Sequence, residues 1–164
     1  MSYLFNVTGV VGVLRTFITS TLIANGESSV NAIPTTFSAM QFPFDKMAMP
    51  FTMLEMGAVQ VAERTANSNR LQLSVIVHHF RLRDGTDNEE DVATTLMSAL
   101  ASAMEADYRL AAAGGAAIPI QSCLVTTIAM GGSNRLQMLI DASDNNMSLA
   151  VVSVPLSIVW NEGL

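Results

Sequence analysis

The chain has 164 residues, of which 50% are hydrophobic and only 13% are charged. Soluble domains usually carry about 25% charged residues, so we expect other subunits to cover part of this surface. The formal net charge of −6 argues against a nucleic-acid binder that neutralises phosphates. One cysteine and two histidines exclude an intramolecular disulfide and the usual four-ligand zinc sites, which indicates a reduced, intracellular chain without a cofactor. The length predicts one domain over residues 1–164.

A helical period predicts a first helix over residues 3–24, ended by Asn25 and Gly26. Its apolar face consists of Val7, Val10, Val11, Leu14, Phe17, Ile18 and Leu22. No basic residue precedes this stretch, and Asn6, Thr8 and Arg15 interrupt it. We therefore expect neither a signal peptide nor a membrane anchor here.

Residues 34–51 are rich in methionine, phenylalanine and proline and show no sustained period, which predicts a long irregular loop with short strands. Flexible thioethers beside aromatic rings suit a surface that adapts to a partner, and ordinary core packing under a loop explains them equally well. The candidate interface residues in this loop are Phe42, Phe44, Met47, Met49 and Phe51.

Two alternating segments, "FTMLEMGAVQVAERT" and "RLQLSVIVHHFRLR", are joined by the polar turn "TANSN" and predict an antiparallel hairpin. A second helix follows, with Asp87 and Glu90 in capping-box spacing and Gly114 and Gly115 at its end. The spacing also predicts an ion pair between Glu105 and Arg109. The predicted buried face consists of Val92, Leu96, Leu100, Ala103 and Met104.

Two further strands close the chain. In "AIPIQSCLVTTIAM" one face consists of Ile118, Ile120, Leu124, Ile128 and Met130, and in "MSLAVVSVPLSIVW" it consists of Ala150, Val152, Val154, Leu156, Ile158 and Trp160. Pro155 has no amide hydrogen, which predicts that the last strand lies at an edge or contains a bulge. We expect Cys123 to be a small buried hydrophobe and not a nucleophile.

His78 and His79 are the two histidines of the chain, and adjacent residues on a strand point to opposite faces. They are therefore not expected to share a metal ion, and no nucleophile motif accompanies them. The apolar side of the strand changes faces near the pair. Either a bulge re-aims the strand there, or Phe80 and Leu82 pack on another subunit. His79, Arg81 and Arg83 lie on the opposite side of the strand from Phe80 and Leu82, and Asp84 follows them. We expect these four charged or polar residues at a subunit seam or a ring lumen.

The element order and the closing strand "LAVVSVPLSIVWN" resemble those of the tail terminator and tail-completion proteins of tailed bacteriophages. The resemblance implies an α+β subunit with a mostly antiparallel sheet flanked by two helices. It also implies a hexameric ring on the head-proximal end of the tail tube, which stops tube polymerisation and joins the head connector. Such a protein is a virion component assembled in the host cytoplasm, and DNA passes through its lumen without specific binding. It is not an enzyme.

Other functions fit the same composition. A head-closure or neck protein, or a tail-tube-like subunit, would have a similar balance of charge and apolar residues. A small α+β enzyme or ligand-binding domain could use His79, Arg81 and Arg83 to bind an anion. A concave pocket that holds these side chains and an acid would favour the latter.

Overall fold

The computed structural model describes residues 5–27, 30, 33–37, 49–82, 88–130 and 149–163. The elements in chain order are α1 (Val7–Ala24), β1 (Thr35–Thr36), β2 (Phe51–Arg64), β3 (Ser68–Leu82), α2 (Glu89–Ala106), β4 (Ile120–Val125), β5 (Ala129–Met130) and β6 (Leu149–Gly163). Two short 3₁₀ turns, Ala111–Ala113 and Gly115–Ala117, connect α2 to β4.

The strands form one sheet in the order β1-β2-β3-β6-β4, and β5 also pairs with β6. Every pairing is antiparallel except that of β1 with β2. Both helices contribute to the main core on one face of the sheet, where Leu14 of α1 and Leu100 of α2 join Val77 of β3. The α+β class with a mostly antiparallel sheet and two helices is thereby confirmed.

Helix α1 begins four residues later than predicted, at Val7, because Asn6 caps it: the Asn6 side chain accepts a hydrogen bond from the Gly9 amide at 3.2 Å. Gly26, with φ +98°, lies just beyond the end of the helix, as expected. The predicted apolar face is buried, except that Val7 is only half-buried. By length and composition α1 could cross a membrane, but the core helix of a soluble protein meets the same criteria, and seven of its residues are buried here.

Helix α2 ends at Ala106, well before the predicted Gly114. The Asp107 carboxylate accepts hydrogen bonds from the amides of Ala111 and Ala112, and this turns the chain into the 3₁₀ segments. Val92 is exposed, contrary to prediction, because the buried face is rotated toward Ala93, Leu96, Met97, Leu100 and Met104.

Hairpin β2–β3 is confirmed, with the turn held by the Thr65 side chain against Ser68. Strand β2 contains two irregularities, and in the first Gly57 and Ala58 together lie opposite a single residue of β3. A Cβ atom on Gly57 would come within 2.8 Å of the Ser74 carbonyl oxygen, which explains why this bulge contains glycine.

Two predictions about the closing strands are wrong. A register shift between Ile120 and Ser122 reverses the alternation of β4, so Cys123 faces the core and Leu124 is 57% exposed. The predicted inward face of β6 is buried, but β6 lies inside the sheet and not at an edge. The alternative, a bulge at Pro155, is absent from the ladder to β3; the ladder is instead interrupted on the other side, between β4 and β5. Strand β6 tolerates Pro155 because the nitrogen and the carbonyl of this residue point the same way, toward this interrupted side of β6. That carbonyl accepts from Thr126, where the ladder passes from β4 to β5.

Candidate functional site

The histidine pair lies in a regular stretch of β3, and its two rings point to opposite faces of the sheet, as predicted. Continuous register with β2 places Met53 opposite His78 and Thr52 opposite His79, and the ladder to β6 is also unbroken. The bulge considered from the sequence is therefore absent at this point of the strand. The apolar side changes faces because both faces are buried here. The second face carries its own apolar cluster of Phe51, Met53, Phe80, Leu149 and Val151.

On the helix side, His79 connects a hydroxyl group to a carboxylate. Its Nδ1 lies 2.9 Å from Thr52 Oγ1, and its Nε2 lies 2.9 Å from Glu27 Oε2. The side chains of His79 and Glu27 are each only 1% exposed. Glu27 also accepts from Arg81 at 2.6 and 2.7 Å, and Arg81 Nε donates to Glu89. We call these five residues the His79 network.

The charges of the His79 network compensate one another. Burial alone would raise the pKa of Glu27, but hydrogen bonds and charge from His79 and Arg81 outweigh it and lower this pKa to about 2. Burial likewise acts to lower the pKa of Arg81, and its two carboxylate partners raise it above the usual value. Since Glu27 follows α1 and Glu89 opens α2, the network ties both helices to β3.

On the other face, His78 likewise connects a hydroxyl group to a carboxylate and forms a second hydrogen-bonded chain. Its Nδ1 lies 2.5 Å from Ser153 Oγ and its Nε2 lies 3.2 Å from Glu55 Oε1. Burial lowers the pKa of His78, and the hydrogen bond and charge of Glu55 offset this only in part. A neutral His78 that donates from Nε2 to Glu55 and accepts the Ser153 hydroxyl proton at Nδ1 satisfies all three groups.

Both chains have the components of a nucleophilic triad, namely a hydroxyl, an imidazole and a carboxylate. The two hydroxyls are buried, however: Thr52 and Ser153 are 1% and 2% exposed. Of three hollows on the described surface, of about 550, 460 and 470 Å³, only the second includes a residue of either chain, Glu55, and neither histidine nor either hydroxyl lines any of them. The two chains are therefore suited to hold the helices, β2 and β6 onto β3.

The structure corrects part of the predicted interface. Phe51 and Phe80 stack with ring centroids 4.6 Å apart and are buried in the second cluster, against which Met49 packs half-buried. They belong to the core of the subunit itself, and of the predicted contact pair only Leu82 is exposed, at 44%. The predicted interface residues Phe42, Phe44 and Met47 lie outside the described residues.

The predicted basic stripe is also revised. His79 is buried and Arg81 is only 21% exposed, because both bond to Glu27 and Arg81 also bonds to Glu89. Arg83 and Asp84 lie outside the described residues. Arg109, expected to pair with Glu105 along α2, lies beyond the end of the helix, with its guanidinium 5.5 Å from the Tyr108 ring centroid.

Sequence reasoning missed the partners of the histidines: Glu27, Thr52, Glu55 and Ser153. Each lies 23 to 75 residues away in sequence from the histidine that it contacts, so no local sequence pattern predicts the contact. The buried state of Cys123 was predicted, and burial raises the pKa of its thiol to about 12. Among the described residues no group of three or more histidine, cysteine or acidic side chains could hold a metal ion.

No protein-family model and no curated protein matches this chain.

The two outer edges of the sheet, at β2 and at β4, are only partly covered by described strands. Strand β1 covers β2 only at Leu54 and Glu55, and within the described residues the β2 edge over 57–64 has no further strand partner. In the same described part of the chain, β4 pairs only with β6, so its outer side is open too. Exposed apolar side chains accompany both boundaries. Phe37, which follows β1, is 89% exposed, and Leu124 of β4 is 57% exposed.

Proposed function

We propose that the chain is a structural virion subunit, a tail terminator that forms a ring on the head-proximal end of the tail tube. The ring stops tube polymerisation and joins the tube to the head connector. The observation that carries this proposal is a pair of sheet edges without a further strand partner among the described residues, β2 over 57–64 on one flank and β4 on the other, each accompanied by exposed apolar side chains. Open edges of this kind attract further strands or neighbouring chains.

The positions of the two edges favour a ring over a two-fold dimer. A contact between two different flanks of the same subunit is heterologous, and a heterologous contact that closes by rotation produces a ring. The strand order β1-β2-β3-β6-β4 puts the two open edges at opposite ends of one sheet. Each subunit could therefore offer one flank to the copy before it and the other flank to the copy after it.

Composition supports the same function. A subunit with neighbours beside, above and below it needs few charges on its own surface, and only 13% of this chain is charged. A net charge of −6 would let DNA cross a lumen without adhering to it. The hexameric number of subunits and the tube and connector partners follow from the resemblance to tail terminators.

The test begins with the purified protein alone. Native mass spectrometry and negative-stain images should reveal a closed ring at micromolar concentration. Added to growing tubes of its cognate tail tube protein, the ring should stop elongation and appear at one tube end. Monomers under both conditions would overturn the proposal. Rings that bind the connector but leave tube growth unchanged would identify a neck protein instead.

A further inference from the structure

A groove runs along the outer side of α1, between this helix and the segment that contains β1. It consists of two adjoining hollows of about 550 and 470 Å³ that share Arg15 as a lining residue. One hollow has apolar walls that include Val11 of α1 and Met56 and Val59 of β2, and hydroxyl groups of α1 line the other. We call the two hollows together the α1 groove.

Arg15 is the charged side chain that lines both hollows. Its Nε donates to the Ile33 carbonyl oxygen at 2.8 Å, which positions the guanidinium without neutralising it. Arg70 and Arg81, by contrast, pair with carboxylates. Within the described part of the chain Arg15 has no acidic partner. The groove therefore joins an apolar hollow to a hydroxyl-lined one, and no acidic side chain among the described residues neutralises its arginine.

The opposite flank of the subunit has the complementary character. It is built from β4, whose sequence from Ile120 to Val125 contains no charged residue, and from α2, which packs over β6 and β4. Helix α2 exposes the acidic residues Asp91 and Glu105, and β4 exposes Leu124. An uncharged strand with an exposed leucine, beside an acidic helix surface, matches a groove that has one apolar hollow and contains an arginine.

We propose that the α1 groove receives the β4 and α2 flank of a second copy of this chain, with Arg15 facing an acidic residue of that copy's α2. The inference rests on the proposed ring and specifies its seam. The open β2 edge adjoins the groove at Val59, so a strand of the incoming copy could bond to this edge while its side chains enter the groove. The seam joins two different surfaces, as a ring requires.

The experiment compares charge variants by native mass spectrometry and by concentration-dependent sedimentation. Arg15→Glu should weaken the ring, with the apparent dissociation constant rising by roughly tenfold or more, because like charges then meet at the seam. Arg15→Lys keeps the charge and should preserve the ring. Arg70→Glu is the control for charge reversal outside the groove, since Arg70 lines neither hollow; because its partner Glu63 lies on the β2 edge, the comparison also separates the groove from that edge. Circular dichroism and thermal melting should confirm that every variant is folded.

Reversal of the partner charge identifies the contact on the other flank. Asp91→Arg or Glu105→Arg, combined with Arg15→Glu, should restore the ring to within about threefold of the wild type. A ring that persists unchanged in Arg15→Glu would overturn the proposed seam and leave the terminator function standing. Failure of both acidic reversals to restore a folded Arg15→Glu variant would overturn the assignment of α2 as the partner. A wild-type protein that never forms rings would overturn both the seam and the function.

Discussion

Replacement of Glu27 by glutamine tests whether the His79 network stabilises the fold. The change keeps the shape of the side chain and removes its charge, which leaves His79 and Arg81 without their shared carboxylate. Breaking a buried ion pair destabilises a protein by about 3–5 kcal/mol. The depression of the Glu27 pKa from 4.5 to about 2 gives a similar value, about 3 kcal/mol, at roughly 1.36 kcal/mol for each unit of pKa. For a domain of this size that lowers Tm by roughly 6–12 °C.

Urea unfolding at pH 7 measures this loss directly, because Trp160 is the single tryptophan of the chain and is buried. Its fluorescence should report unfolding of the core in one transition. The matched control is Glu63→Gln, which breaks the exposed ion pair with Arg70 and should change the free energy of unfolding by less than about 1 kcal/mol. A Glu27→Gln protein as stable as the control would refute the reasoning.

The pH dependence gives an independent check on the same residue. Because the folded-state pKa of Glu27 is depressed, its stabilising contribution is fully present above the unfolded pKa of 4.5 and is lost as the pH falls toward about 2. The difference in stability between wild type and Glu27→Gln should therefore be constant at neutral pH and shrink between pH 4.5 and 2. A difference that stays constant down to pH 2 would mean that the carboxylate is not the source of the stability.

Four further measurements test other parts of the structure. Ser153→Ala removes the hydroxyl bonded to His78 and should destabilise the fold by about 1–3 kcal/mol in urea unfolding. Since burial lowers the pKa of His78, we also expect the wild type to lose stability as the pH falls below 6.5, and a flat profile there would contradict a buried neutral histidine. Phe80→Ala should lower the free energy of unfolding by about 3–5 kcal/mol, whereas Leu82→Ala, at an exposed position, should leave it almost unchanged. Equal losses in the two variants would contradict the assignment of Phe80 to the core. Gly57→Ala should lower Tm because the added methyl group meets the opposing strand's carbonyl oxygen at 2.8 Å, and an unchanged Tm would show that the bulge can relax.

Elements whose signal is local were predictable from the amino-acid sequence. The helical period located α1 and most of α2, and the alternation of apolar residues located the β2–β3 hairpin and the inward face of β6. These patterns are readable because a helix or strand with one buried side repeats its apolar residues at a fixed interval. The helix stop at Gly26 was readable for another local reason, since glycine adopts the left-handed backbone that ends a helix.

Features that depend on contacts between distant parts of the chain could be read only from the tertiary structure. The place of β6 inside the sheet follows from pairing with two partners, and Pro155 suggested an edge because a sequence does not reveal a gap between β4 and β5. One register shift in β4 was enough to expose Leu124, since side chains alternate with a period of two. The histidine pair shows the same limit. Its opposite orientation was predictable from strand geometry, but partners up to 75 residues away converge on it only when the sheet assembles.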